Sequence, residues 1–154
     1  MLTEVRWQRE QELMQSVFPG FKPFARGAHF GFEGYLRGAR SGRCYQLVLE
    51  ADHQAYPQSP PSVRMNPRIG IHWIGDRDRR LCMEREWRPA RSTFANTMLA
   101  VIRYLDEHDP EPGSAEPSYR GDGEDRAPDR ESDTGPDVPG CISTALYWRI
   151  RRPW

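Results

Sequence analysis

Lysine is almost absent from this 154-residue chain: Lys22 stands alone, and arginine carries the remaining basic charge. That bias fits a GC-rich, bacterial genome and leaves the chain nearly without side-chain amines of its own. An excess of either sign is missing too, because 22 basic and 22 acidic residues cancel. No global basic field points to nucleic acid or to an anionic membrane. Long apolar runs are lacking: none approaches the roughly 20 residues that span a bilayer. The start, MLTEVRWQREQELM, has no signal-peptide apolar core. The expectation is a soluble, cytoplasmic protein. Cysteine is scarce, with Cys44, Cys82 and Cys141 widely spaced and no CxxC pair. An odd count in that setting argues against a disulfide framework. His29, His53, His72 and His108 are scattered, so the ligand spacing of a structural zinc site is missing. No metal or cofactor is expected.

Hydrophobic residues make up 37% of the chain and the mean hydropathy is −0.82. That suits one modest core accompanied by non-core sequence. Residues 3–17 read as a helix capped by Thr3, with Leu13, Met14 and Val17 on one face and Glu10, Glu12 and Gln15 to solvent. Phe18-Pro19-Gly20 stops it, and Phe21–Phe24 form a short extended piece. Ala28–Gly38 alternates as a strand, with Phe30, Phe32 and Gly34 on one side. A hairpin loop with Gly38 and Gly42 at its ends leads to a second strand, Cys44–Ala51. The turn Tyr56-Pro57-Gln58-Ser59-Pro60-Pro61 cannot be a central strand, since three prolines remove three N–H donors. Ser62–Met65 is a third short strand.

Residues 66–90 show no sustained period. They carry His72 and Cys82, followed by Trp87 and Pro89. A long irregular stretch inside a small domain suits a functional segment. Ser92 then caps a helix to about Glu107, with Phe94, Met98, Val101, Ile102 and Leu105 on a buried stripe. Residues 109–140 are dense in Pro, Asp, Glu, Ser and Gly and read as an acidic disordered linker. The final stretch, 141–154, interleaves Tyr147, Trp148 and Trp154 with Arg149, Arg151 and Arg152. It reads as a docking peptide for a partner, as an end that packs back on the domain, or as a simply unstructured end. The order predicts an α+β fold: an N-terminal helix, an antiparallel meander of three to four strands, an irregular segment and a crossing helix over residues 1–108.

On these residues the chain resembles the ubiquitin-conjugating (E2) family, with a UBC-like fold. The likeness rests on the YPxxPP turn at Tyr56–Pro61, His72 ten residues before Cys82, the Arg80-Leu81-Cys82-Met83 stretch, and Trp87-Arg88-Pro89 ahead of the helix. The resemblance implies a thioester-forming cysteine at Cys82. It would carry a ubiquitin-like modifier received from an E1-like activating enzyme. Compact bacterial relatives of this kind imply a JAB-type peptidase nearby and a role in antiphage defence. A thiol suits such a relay, being nucleophilic as thiolate and a good leaving group. His72 is either a general base or an organiser of the loop. Asp76 and Asp78 are candidates to orient the incoming amine. Tyr56 and Trp87 are candidates to shape the substrate-binding surface, both with a packing role as the plainer reading. The sequence departs from the family at the His-Pro-Asn motif, where Trp73 and Ile74 replace Pro and Asn. The alternative function is an inactive E2-variant or RWD-like protein-binding module. A Cys82–His72 hydrolase is a third class, with no orienting Asn or Asp signature.

Overall fold

The computed structural model describes residues 2–67, 69, 73–74, 80–81, 87–112 and 141–144. Helix α1 spans Glu4–Val17, and Thr3 caps it by accepting the Arg6 backbone N–H at 3.3 Å. Strands β1 (Lys22–Arg26), β2 (His29–Arg37), β3 (Cys44–Asp52) and β4 (Ser62–Asn66) follow as an antiparallel meander. Two short strands, β5 (Trp73–Ile74) and β6 (Arg80–Leu81), extend the sheet beyond β4 in the order β1-β2-β3-β4-β6-β5. Helix α2 spans Phe94–His108. A last strand, β7 (Ile142–Ser143), pairs in parallel with β2. The α+β class and the helix–meander–helix order are those expected. Part of the segment read as irregular forms two short antiparallel strands at the sheet's end.

Period-two alternation explains the strands. Phe30, Phe32 and Leu36 of β2 face Ala51, Leu49 and Tyr45 of β3, and Leu47 and Leu49 face Met65 and Val63 of β4. All are buried, so this set forms one apolar face of the sheet. Both helices lie on that face. Met14 comes from α1, and Phe94, Met98, Val101, Ile102 and Leu105 come from α2. Trp7 of α1 meets Phe30 edge-on at 5.0 Å, and Phe94 meets Phe32 at 5.1 Å. Each fully buried ring or aliphatic chain contributes about 1.5–3 kcal/mol relative to exposure. The result is a two-layer sandwich of helices on a sheet.

Three expectations are corrected. Glu10, assigned to solvent, is 1% exposed. It sits one helical turn from Met14, and the apolar stripe carries it inward. The cap of α2 is Thr93, not Ser92: its Oγ1 accepts the Asn96 N–H at 3.3 Å while its own N–H donates to Asn96 Oδ1 at 2.8 Å. This is a reciprocal capping box, with Asn in place of the usual Glu or Gln. Finally, Cys44 and Cys141 form a disulfide across 97 residues of sequence. An odd cysteine count had argued against a bridge, but pairing depends on spatial approach, which the fold supplies.

Asp109, the first residue of the expected linker, is buried at the C-terminal end of α2. It accepts hydrogen bonds from the Arg40 and Ser41 backbone N–H groups at 2.9 Å, the Ser41 hydroxyl at 2.6 Å and the Tyr45 hydroxyl at 2.8 Å. One carboxylate thereby clamps the β2–β3 loop onto the end of α2. Gly38 makes room for it, because a Cβ there would lie 2.3 Å from Asp109 Oδ2. Gly42, at φ +69°, closes the same loop in a left-handed conformation that side chains rarely adopt.

Candidate functional site

The turn at Tyr56–Pro61 joins β3 to β4 and stands over the N-terminus of α2. Asp52 starts it: its Oδ1 accepts the backbone N–H groups of Gln54 and Ala55 at 2.7 and 3.1 Å. These bonds hold its carboxyl below the ordinary carboxylate range. Tyr56 then turns inward and is fully buried. Its ring packs against Phe94 at 5.2 Å and Phe30 at 5.5 Å.

Beneath that ring lies a polar knot. The Tyr56 hydroxyl donates to Glu10 Oε1 at 2.5 Å. Arg6 Nε donates to the same oxygen at 2.8 Å, and Arg6 Nη2 donates to the Ser92 carbonyl at 2.6 Å. Glu10 Oε2 accepts the backbone N–H of Phe94, the first residue of α2, at 3.0 Å. A carboxylate therefore sits at the positive end of α2 and satisfies an N–H that has no partner within the helix. Burial, then the hydrogen bond to Glu10, push the Tyr56 phenol above its ordinary value. The knot ties α1, the proline turn and α2 together at one point.

The segment between β4 and α2 is pinned near both ends. Tyr104 of α2 donates to the Ile69 carbonyl at 2.7 Å. At the other end, Trp87 Nε1 donates to the Pro57 carbonyl at 2.7 Å, and its ring lies 6.0 Å from Tyr56. Residues 88–92 form a tight turn, with the Arg88 N–H bonded to Ser92 Oγ at 3.0 Å. Between these pins, Trp73 is the Cα partner of Leu81, and Ile74 of Arg80. Arg80 also pairs with Arg64 of β4.

Of the residues singled out from sequence, the fold brings Tyr56 and Trp87 together. Tyr56 is closed off from solvent, so its side chain forms no part of an exposed binding surface and braces the turn instead. Trp87 is half-buried and joins the cysteine-bearing segment to that turn. Cys82, His72, Asp76 and Asp78 lie outside the described residues. Their covalent neighbours are informative: Trp73 follows His72, Leu81 precedes Cys82, and those two are paired. A cleft of about 180 Å³ opens beside the turn, lined by His29, Glu50, Asp52, Ser59 and Ser62 among others. Among the described residues no group of three or more His, Cys, Asp or Glu is placed to hold a metal ion. Nor is any helix among them long and apolar enough to cross a membrane.

Sequence reasoning missed Arg6, Glu10, Tyr45 and Asp109. Arg6, Glu10 and Met14 recur at four-residue spacing, which was the available signal that Glu10 shares the inward stripe. Asp109 carried no comparable signal, since it opens a stretch rich in acids. No family model matches the chain, and no curated protein or solved structure matches it.

Proposed function

We propose that the protein is an E2-like carrier that accepts a ubiquitin-like modifier as a thioester on Cys82. The reading adds a UBC-like identity to the α+β frame described above. The observation that carries it is the Trp73–Leu81 pairing, which joins the chain next to His72 to the chain next to Cys82. The pinning of this segment by Trp87 on Pro57 supports it, because a nucleophile is best presented from a loop held by a rigid scaffold. Cysteine arithmetic supports it too. Cys44 and Cys141 are bridged, so Cys82 is the cysteine left over for thiol chemistry.

In this scheme the Cys82 thiolate attacks the modifier's activated carbonyl on an E1-like enzyme, and the E1 thiol leaves. An acceptor nucleophile then attacks the new thioester. The C–S bond breaks and Cys82 departs as thiolate, which its low basicity relative to an alkoxide favours. His72 serves as a base or organises the loop, and Asp76 or Asp78 orients the incoming amine. Backbone N–H groups near Cys82 stand in for the family's Asn, whose place Ile74 takes. An adenylating E1-like enzyme and a modifier are the partners implied, with a JAB-type peptidase encoded nearby.

The test is thioester formation with an E1-like enzyme, a ubiquitin-like modifier and ATP. A dithiothreitol-sensitive adduct is expected with wild type, Cys44→Ser and Cys141→Ser. With Cys82→Ser it should vanish or become a thiol-stable ester. Unchanged conjugation by Cys82→Ser overturns the reading. Ile74 at the Asn position favours a second reading, a catalytically inactive binding module on the same frame. That reading predicts a Cys82 thiol that resists maleimide until the protein is unfolded.

A further inference from the structure

Residues 141–144 are fastened to the sheet at the end of the β2–β3 hairpin. Cys141 is bonded to Cys44, the first residue of β3. Directly after it, Ile142 and Ser143 pair with Leu36 and Arg37 at the end of β2, beyond the residues that β1 covers. Cys44 is itself the β3 partner of Arg37. Thr144 is fully buried, and its hydroxyl donates to Asp106 Oδ1 of α2 at 3.1 Å. Bridge and ladder thus converge on one end of the β2–β3 hairpin.

A parallel ladder two residues long is marginal by itself. The stretch 113–140 must also be closed as a loop whenever 141–144 docks, which opposes docking entropically. A covalent bond removes most of that opposition by keeping the ends together. The occupancy of β7 therefore follows the oxidation state of the bridge.

We propose that Cys44–Cys141 is a redox latch. Bridged, it holds residues 141–144 against β2 and α2. Opened by a dithiol reductant, it releases residues 141–144 from β2 and α2. One reductant thiolate attacks a bridge sulfur, the S–S bond breaks, and a mixed disulfide forms. The second reductant thiol resolves it. Two protein thiols result, the reductant ends as its own disulfide, and two electrons and two protons have moved. Such a bond persists in an oxidising compartment and is transient in a reducing one. The latch stands independently of thioester chemistry at Cys82, and Cys82→Ser is expected to retain it.

The test uses the full chain purified without reductant. Alkylation with N-ethylmaleimide in guanidinium, read by intact mass, should add one label before reduction by dithiothreitol and three after it. Hydrogen exchange on the oxidised protein, the reduced protein and Cys141→Ser then reads the consequence. Opening the bridge should lower protection at 141–144 and at Leu36–Arg37 by roughly tenfold or more, while α2 keeps its protection. Three labels without reduction would overturn the latch. So would unchanged exchange at 141–144, or a loss of protection that spreads through α2 and makes the bridge a core support. Should Cys141→Ser fold poorly, the reduced wild-type protein decides alone.

Discussion

Replacing Glu10 tests whether the knot beneath the proline turn stabilises the domain. Its carboxylate accepts from the Tyr56 hydroxyl, the Arg6 guanidinium and the Phe94 N–H, and it is almost wholly buried. Glu10→Ala leaves all three donors without that acceptor and strands a partly buried guanidinium. Removing one partner of a buried ion pair costs about 3–5 kcal/mol. Glu10→Gln keeps the shape, but its amide nitrogen must face one of the former donors, at a cost of about 1–3 kcal/mol. With a urea m-value of about 1–2 kcal/mol per M, the alanine variant should lower the unfolding midpoint by about 1.5–5 M at unchanged m. Glu12→Ala, on the exposed face of the same helix, should stay within about 0.5 kcal/mol of wild type. Equilibrium unfolding followed by circular dichroism measures all three. A Glu10→Ala variant as mild as Glu12→Ala would refute a stabilising role for the knot. That outcome would mean that desolvating the carboxylate offsets everything its hydrogen bonds contribute.

Gly38→Ala places a methyl within 2.3–2.4 Å of the Asp109 carboxylate and should destabilise by about 1–3 kcal/mol. In the Gly38→Ala/Asp109→Ala double variant the losses should fall short of additive, and full additivity by urea titration would show that the two sites do not meet. Burial alone would raise the Asp109 carboxyl, but hydrogen bonds from Ser41, Tyr45 and Arg40 outweigh it and hold it below its ordinary value. Such a group stabilises the fold fully above the unfolded value of about 3.9, and the contribution drains away as pH falls through the lower folded value. The stability gap between wild type and Asp109→Asn should therefore narrow below about pH 4, and a gap constant from pH 7 to pH 3 would contradict this. Burial and then an acidic partner raise the Tyr45 and Tyr56 phenols. Their contribution is complete below the unfolded value of about pH 10 and drains away as pH rises from there through the higher folded values, so Tyr56→Phe should flatten the alkaline limb of a pH–stability curve.

Local pattern carried the architecture. Alternation in Phe30-Gly31-Phe32 and in Tyr45-Gln46-Leu47-Val48-Leu49 specifies strands with one inward face, and that information sits within a few residues. The same holds for the breaker Phe18-Pro19-Gly20 and for the apolar stripe from Phe94 to Leu105. Spacing suggests the candidate site: a proline turn, a histidine ten residues before a cysteine, and a tryptophan ahead of a helix, of which the described residues include the turn and Trp87, in contact with each other.

Which polar groups are buried was not legible locally. Glu10 and Asp109 look like the many solvated acids around them. They are distinguished by donors 84 and 68 residues away, the Phe94 and Ser41 N–H groups. The Cys44–Cys141 bridge is likewise a product of long-range approach, as is the bond that carries Trp87 to Pro57. Periodicity encodes which face of an element turns inward, because that preference is a sum of local transfer energies. Pairing of a buried charge or thiol depends on where two distant elements meet, and only the packed chain decides that.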